Sequence, residues 1–163
     1  MAATETSAVP PLDIRVDDLT SAPIAAFLAE HLRDMHATSP PESVHALDLA
    51  GLRQPTITFW SVWSHDELRG CAALKHLDER HAELKSMRTA PQHRGKGLGG
   101  QILQFVMEEA RRRGYRRLSL ETGSQPYFLP ARSLYAARGF LPCPPFGPYT
   151  DDPNSVYMTR ELG

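Results

Sequence analysis

Cysteine is scarce in this chain of 163 residues, which has only Cys71 and Cys143. Two cysteines so far apart provide neither a disulfide framework nor a zinc cage, and they fit a reducing, cytoplasmic setting. The seven histidines show no H-E-x-x-H or other paired spacing, so we expect no metal. No apolar run is long enough to cross a bilayer, and the N-terminus lacks the basic start and apolar core of a signal peptide.

A strong net charge is also missing, since the formal charge is −1 at pH 7. A balance so close to neutral gives no general attraction to nucleic acid or to anionic membranes. The basic run RRRGYRR, Arg111 to Arg117, fits a solvated helix end, where cations face the negative end of the helix dipole. We therefore expect neither nucleic acid nor membrane as a partner. The length suits one domain, which we expect to act as a monomer or homodimer.

The hydrophobic pattern predicts a mixed α/β (α+β) domain over residues 12–163, after a flexible tail at residues 1–11. Strands are predicted at LDIRVDDL, TITFWSVWS, LRGCAALKHLD, HAELKSMRTA, RRLSLET and SVYMTREL. Helices are predicted at SAPIAAFLAEHLRDMHA, capped by Ser21, from near Pro41 and Glu42 to a stop at Pro55, from about Gly97 to Arg113, and at PARSLYAARG. Three of the strands follow one another across short polar turns, which favours an antiparallel meander.

The stretch QHRGKGLGGQ, residues 92–101, combines four glycines with three basic side chains. Bare backbone, cations and the N-terminus of a following helix are typical of a pyrophosphate site. Gly95, Gly97 and Gly100 match the dinucleotide pattern G-x-G-x-x-G, but the preceding strand is charged and does not run directly into the glycines. An ATP-type loop is excluded because glycine follows Lys96 where Ser or Thr is needed.

Residues Thr89 to Gly99, TAPQHRGKGLG, resemble the acetyl-coenzyme A signature of the GNAT superfamily of N-acetyltransferases, with Arg94, Gly97 and Gly99 at its core positions. ARSLYAARGF resembles that family's second conserved block. The resemblance covers nearly the whole chain from Leu12. It implies a GNAT fold: a central, mostly antiparallel mixed sheet of about six or seven strands, flanked by about four helices and splayed at the acetyl-CoA site. It also implies transfer of an acetyl group to a primary amine of a small molecule or peptide, by direct attack in a ternary complex.

The same resemblance assigns roles to individual residues. The backbone of Met87, Arg88 and Thr89 would pair with the pantetheine arm, and the pyrophosphate would lie against Arg94, Gly95, Lys96, Gly97, Leu98, Gly99 and Gly100. Tyr135 would contact the coenzyme sulfur and protonate the departing thiolate. Glu83 occupies the strand position of the general base in histone-acetylating members, and Glu121, which ends a strand near the splay, is an alternative base. Family members that relay the proton through water need neither.

The acceptor pocket is expected where the early helices meet the late loop. Its candidate residues are His36, Glu42, Ser43, His45, Trp60, Phe146 and Tyr149. Each aromatic residue among them also fits ordinary core packing. One departure from the family pattern is Phe128, which stands where an asparagine often precedes the second block. Two other functions remain open at this point: a non-catalytic acyl-CoA sensor and a dinucleotide-dependent oxidoreductase.

Overall fold

The computed structural model describes residues 11–163, so the predicted tail at residues 1–11 lies outside the described residues except for its last position. The strands are β1 (Asp13–Val16), β2 (Ile57–Ser64), β3 (Glu67–Asp78), β4 (His81–Thr89), β5 (Arg117–Gly123), β6 (Leu141–Pro142) and β7 (Ser155–Glu161). The helices are α1 (Ala22–Thr38), α2 (Leu49–Leu52), α3 (Leu98–Arg112) and α4 (Leu129–Ala137). Single 3-10 turns occupy Pro41–Ser43, Pro91–His93 and Pro126–Phe128.

The described residues form one seven-stranded sheet in the order β1-β2-β3-β4-β5-β7-β6. The meander of β2, β3 and β4 is antiparallel, as the short polar turns predict. β5 joins β4 in parallel after the α3 crossover, and β7 returns antiparallel between β5 and β6. The prediction of a mostly antiparallel mixed sheet is therefore confirmed.

Strand residues alternate between two cores, one on each face of the sheet, because successive side chains point in opposite directions. Phe59 belongs to a core with Ile24 and Leu28 of α1, whereas the next residue, Trp60, packs on the other face. That second core contains most of the buried side chains of α3, and also Tyr135 of α4. The sheet thus separates an α1 side from an α3 and α4 side.

The strands β4 and β5 pair for only three residues and then separate. Their parallel register ends at Glu83 opposite Ser119, although β4 continues to Thr89 and β5 to Gly123. The separation leaves one edge of each strand without a sheet neighbour in the described part of the chain. The predicted splay is confirmed, and it opens a cleft in the middle of the sheet.

Two details of the sequence-based prediction are wrong. No continuous helix runs from Pro41 towards Pro55: a 3-10 turn ends at Ser43, and α2 has only four residues, begun by the Asp48 side chain accepting a hydrogen bond from the Gly51 amide. The loop FLPCPPFGPYTDDPN contains the two-residue strand β6, which pairs with β7. A strand so short and rich in proline leaves no alternating pattern to detect.

Candidate active site

A cleft of about 650 Å³ opens where β4 and β5 separate. Its α1 side is formed by α1 and by residues 43–46, and its other side by the glycine loop and α4. Glu83 to Thr89 and Leu120 to Gly123 supply the two strand walls. The predicted site residues, except Lys96 and several acceptor residues, line this one cleft.

The glycine loop presents free backbone N–H groups to the cleft. α3 begins after Gly97, which has φ +82° and provides no side-chain cap, so the amides of the first helical turn have no partner within the helix. Gly95 is also left-handed, with φ +78°, and a Cβ at either glycine would meet nothing within 4 Å. These two glycines are therefore required for backbone conformation. The free amides and the positive end of the helix dipole fit a pyrophosphate group.

Gly99 and Gly100 serve a different purpose, which is the close packing of α3 on α4. A Cβ at Gly99 would lie 3.2 Å from Leu134, and one at Gly100 would lie 2.5 Å from the Arg138 guanidinium. Arg138 in turn donates a hydrogen bond to the Gly100 carbonyl at 3.0 Å. The second conserved block thus supports the first one directly, which explains why the two motifs occur together in this chain.

The two cations of the loop lie in different places. Arg94 lines the cleft and donates from Nε to the Thr89 carbonyl at 3.4 Å. Lys96 is exposed and is not part of the cleft wall. The predicted contact of Arg94 with the pyrophosphate therefore has structural support that the Lys96 contact lacks.

The splayed edge of β4 contains a bulge. Cys71 lies opposite Arg88 and Ala73 opposite Lys85, so β4 has one extra residue there, and Ser86 takes φ +52°. Met87, Arg88 and Thr89 all line the cleft, and β5 no longer pairs with this part of β4. A free strand edge of this kind can pair with an extended amide-containing arm.

The Arg88 side chain is not available to the coenzyme. It is 3% exposed, and its Nη2 lies 2.7 Å from Glu30 and 2.9 Å from Asp34, both on α1. Its Nη1 lies 3.4 Å from Nδ1 of His31, a residue that the sequence-based reasoning missed. Because a guanidinium only donates, the His31 Nδ1 atom accepts and Nε2 holds the proton. Burial, together with Arg88, lowers the pKa of His31 to about 4.

Tyr135 projects from α4 into the cleft wall and is buried. Burial raises its pKa to about 12, and the negative charge of Glu121 adds to the effect. The hydroxyl therefore keeps its proton at neutral pH, as a proton donor must. Phe128, at the departure from the family pattern, also lines the cleft, and a Cβ at Gly123 would overlap its ring. That position thus holds an apolar surface.

Glu121 lies two residues beyond the last parallel pair, on the β5 wall of the cleft. Its Oε2 accepts a hydrogen bond from the Ser155 hydroxyl at 2.9 Å. Burial raises its pKa from the usual 4.5 to about 7, and the Ser155 bond offsets part of that rise. A carboxylate with this pKa is half-ionised near neutrality, which suits a group that takes and returns protons.

Glu83 has a different environment, although it lines the same cleft. Its Oε2 accepts a hydrogen bond from the Tyr149 hydroxyl at 2.5 Å and lies 3.2 Å from Nζ of Lys85. Lys85 Nζ also donates to the Tyr149 hydroxyl at 2.9 Å, which closes a triangle of one half-buried and two buried side chains. Burial and the Glu83 charge raise the pKa of Tyr149. The spacing of Glu83 and Lys85 on one strand face suggests such an ion pair as the alternative to a catalytic base, but with an exposed glutamate, whereas the Glu83 side chain is buried.

The predicted acceptor residues divide into two groups. Ser43 and His45 line the cleft, and Tyr149 lies behind it, with its ring 5.0 Å from that of His45. Phe146 packs against Tyr149 at 5.2 Å and supports it from behind.

Three acceptor predictions do not match the structure. Trp60 is buried in the α3 core against Phe105, with Arg113 over its ring, because its side chain faces the opposite side of the sheet from α1. His36 and Glu42 are exposed and do not line the cleft. His36 lies one residue after Met35, which does line the cleft, and so points elsewhere on the helix.

In the part of the chain that the structure describes, no group of three or more His, Cys, Asp or Glu side chains is placed so that it could hold a metal ion. In residues 11–163, none of the helices has both the length and the hydropathy that crossing a bilayer needs.

A sheet that splays beside a glycine-rich helix N-terminus, with a tyrosine and two carboxyl groups in the same cleft, is the arrangement expected of a coenzyme A-dependent acyltransferase. The family model described as "Acetyltransferase (GNAT) family" matches residues 24–140, and the chain belongs to this family. It is an acetyl-CoA-dependent N-acetyltransferase, a class that acts on amine acceptors.

Relatives with matching length agree with this assignment. The chain is 56% identical to the uncharacterised N-acetyltransferase YsnE of Bacillus subtilis over 93% of this chain and all of that protein. It is 48% identical to the uncharacterised N-acetyltransferase YedL of Escherichia coli, covering 91% of this chain and 94% of the relative. A GNAT family acetyltransferase from Elizabethkingia anophelis, solved with acetyl-CoA bound, has the same fold, with a TM-score of 0.62 at 17% identity over 92% and 97% of the two chains.

Proposed function

We propose that the chain acetylates a primary amine by direct attack within a ternary complex, with Glu121 as general base and Tyr135 as general acid. The observation that carries this proposal is that Glu121 and Tyr135 lie in one cleft and have different environments. Glu121 has a pKa raised to about 7 by burial, and Tyr135 has a pKa raised to about 12. One group is poised to accept a proton at neutral pH and the other is held in its proton-donating form.

The base is needed because the acceptor arrives as an ammonium ion. An alkylamine of pKa about 10.4 is almost fully protonated at pH 7 and has no lone pair for attack. An ionised Glu121 favours the approach of this cation and then takes one of its protons. The resulting neutral amine can attack the thioester carbonyl of acetyl-CoA, which supplies the activated acetyl group, and the new amide forms as the carbon–sulfur bond breaks.

The departing sulfur also needs a proton. A thiolate leaves more readily when a donor supplies its proton, and the Tyr135 hydroxyl lies in the cleft wall for this purpose. The nearby Glu121 contributes to the raised pKa of Tyr135, so the two groups are close enough to interact. The attacking nitrogen loses its second proton as the amide forms, and this proton replaces the one that Tyr135 gave to the sulfur. The proton on Glu121 passes to solvent, and the site returns to its starting state.

Glu83 is the weaker candidate for the base. Its side chain is 2% exposed, and one of its oxygens is shared between the Tyr149 hydroxyl and the Lys85 ammonium. Taking a proton would weaken both of these interactions. We propose that Glu83 holds Lys85 and Tyr149 in place at the acceptor end of the cleft.

Coenzyme binding in this proposal uses mainly backbone. The free edge of β4 at Met87, Arg88 and Thr89 would pair with the pantetheine amides, and the amides that follow Gly97 would bind the pyrophosphate, with Arg94 beside them. We place the reaction in the cytoplasm, because Cys71 and Cys143 are free thiols. Fractionation of cells that produce the tagged chain tests this location.

Thiol release from acetyl-CoA, measured with a panel of primary amines, tests the function. We expect amine-dependent release in wild type and a loss of about a hundredfold or more in kcat for Glu121→Gln, the range of general base catalysis. Tight binding of acetyl-CoA in calorimetry without release for any amine would favour the acyl-CoA sensor instead. Binding of NAD(P) without acetyl-CoA would favour the oxidoreductase.

A further inference from the structure

Two loops beside the proposed acceptor end of the cleft are joined to each other. The first is residues 39–48, between α1 and α2, and the second is residues 143–154, between β6 and β7. The Ser43 hydroxyl donates to Oδ2 of Asp152 at 2.6 Å, although the two residues are 109 positions apart. Ser43 is 6% exposed and lines the cleft. We call this contact the Ser43–Asp152 bridge.

The bridge continues to the end of β5. Asn154 donates from Nδ2 to the Ser43 hydroxyl at 3.4 Å, and its Oδ1 accepts from Nε2 of Gln125 at 3.2 Å. The Asp152 carboxylate also accepts a hydrogen bond from the backbone N–H of Asn154 at 2.8 Å. The neighbouring Ser155 bonds to Glu121. The first loop is thus connected, through the second, to the strand that holds the proposed base.

A second joint lies beside the first. The His45 ring packs edge-on against the Tyr149 ring with centroids 5.0 Å apart, and the Tyr149 hydroxyl is held by Glu83 and Lys85. Burial, with Lys85, lowers the pKa of His45, which keeps this ring neutral at physiological pH. Two cross-loop contacts, one polar and one aromatic, therefore join these loops, and Ser155, just after the second loop, bonds to Glu121.

We propose that the Ser43–Asp152 bridge restricts the acceptor to small primary amines and excludes lysine side chains within peptides. The inference rests on the proposed function and names its substrate class. A lysine in a chain has main chain on both sides, which needs a groove open at two ends. In this proposal the joined loops close one end of the cleft, so that a free amine can enter but a flanking main chain cannot cross.

The physical consequence is a gating equilibrium. A peptide reacts only from molecules in which the two loops have separated, so its rate is scaled by the fraction in that state. A hydrogen bond to a carboxylate makes a net contribution that corresponds to roughly a tenfold or larger change in such an equilibrium. A small amine reacts without opening, so removal of the bridge leaves its rate little changed.

Two substrates and four variants test the proposal. The small substrate is n-butylamine, which is a lysine side chain without main chain, or the most active amine of the panel if that one reacts better. The second substrate is a short peptide with blocked termini and one central lysine. The bridge variants are Asp152→Ala, which removes the acceptor, and Asp152→Asn, which keeps an oxygen acceptor without the charge, and kcat/KM is measured for both substrates.

The chain contains a matched control for each variant. The Thr20 hydroxyl donates to Asp18 at 2.6 Å, the same chemistry and distance as the bridge, but the bond is local and exposed. In both places the hydroxyl bond lowers the pKa of the carboxyl group. Asp18→Ala and Asp18→Asn therefore make the same two changes to an equivalent bond without separating the loops, and we expect the wild-type ratio of the two substrates for them.

We expect wild type to prefer the small amine over the peptide by at least a hundredfold, Asp152→Ala to raise the relative peptide activity by roughly tenfold, and Asp152→Asn to raise it by less. Equal use of the two substrates by wild type would overturn the proposal. So would an unchanged ratio in Asp152→Ala with small-amine activity intact. If no amine at all supports thiol release by wild type, the proposed function itself fails.

Discussion

Glu121→Gln offers a test in which activity and stability move in opposite directions. The carboxyl group is buried on the β5 wall, and its pKa rises from 4.5 to about 7. Keeping an ionised group in this environment costs about 1.4 kcal/mol per pKa unit, so the full difference is about 3 kcal/mol. Glutamine has the same shape and can still accept the Ser155 hydrogen bond, but it never becomes charged.

The stability difference depends on pH in a defined window. Below pH 4.5 the carboxyl group is protonated in both the folded and the unfolded chain, and it contributes nothing. Between pH 4.5 and about 7 the unfolded chain loses this proton first, so the wild-type free energy of unfolding falls relative to that of the variant. Above pH 7 the difference is constant. We expect Glu121→Gln to be more stable by up to about 3 kcal/mol at pH 8 and equal to wild type at pH 4.

Urea unfolding at several pH values measures this difference, and a thermal scan should show a Tm higher by roughly 6–12 °C at pH 8 for a domain of this length. Glu79→Gln, in the exposed turn between β3 and β4, is the control and should show no such dependence. A stability difference that does not change with pH would refute the raised pKa. Normal turnover in Glu121→Gln would refute its role as base, whatever the stability.

Three further changes test other parts of the site. Tyr135→Phe keeps the ring packing and removes the proton donor, so kcat should fall by roughly a hundredfold while calorimetry finds an unchanged Kd for acetyl-CoA; a normal rate would remove Tyr135 as the acid. Gly97→Val places a β-branched residue at φ +82° next to the free amides, and calorimetry should show at least about tenfold weaker coenzyme binding; unchanged affinity would contradict the pyrophosphate assignment. Glu83→Gln leaves the Lys85 ammonium, 8% exposed, without its carboxylate and should cost roughly 3 kcal/mol in urea unfolding, whereas an unchanged midpoint would show that the ion pair is not needed.

The local parts of this fold were predictable because their signals are local. Ser21 caps α1 by accepting from the Ile24 amide, and the glycine loop opens α3, each within a few residues of the signal. The helix predicted from Pro41 is wrong because the conformation of this segment depends on contacts with distant residues. Leu52 is buried in the α1 core, and the Ser43 hydroxyl bonds to Asp152. Contacts of that range leave no pattern in the segment itself.

The side of the sheet that a residue faces was harder to predict than the position of its strand. Trp60 and Phe59 are neighbours on β2, yet Trp60 belongs to the α3 core and Phe59 faces α1. An error of one position in register exchanges the two faces, so an aromatic residue expected in the acceptor pocket lies in the core. Tyr149 shows the opposite outcome. It comes from an irregular loop, yet three polar and aromatic contacts fix its position.

The choice between the two carboxylates shows where sequence reasoning stops. The parallel register places Glu83 opposite Ser119, so Glu121 lies just past the point at which the strands separate, and both carboxylates were expected near the cleft. Their difference comes from partners that are distant in sequence. Tyr149 is 66 residues from Glu83 and occupies its oxygen together with Lys85, whereas Glu121 has one hydroxyl partner and a raised pKa. In the proposed mechanism the base needs a lone pair that no neighbouring cation holds, and only the assembled cleft shows how the two carboxylates differ in this respect.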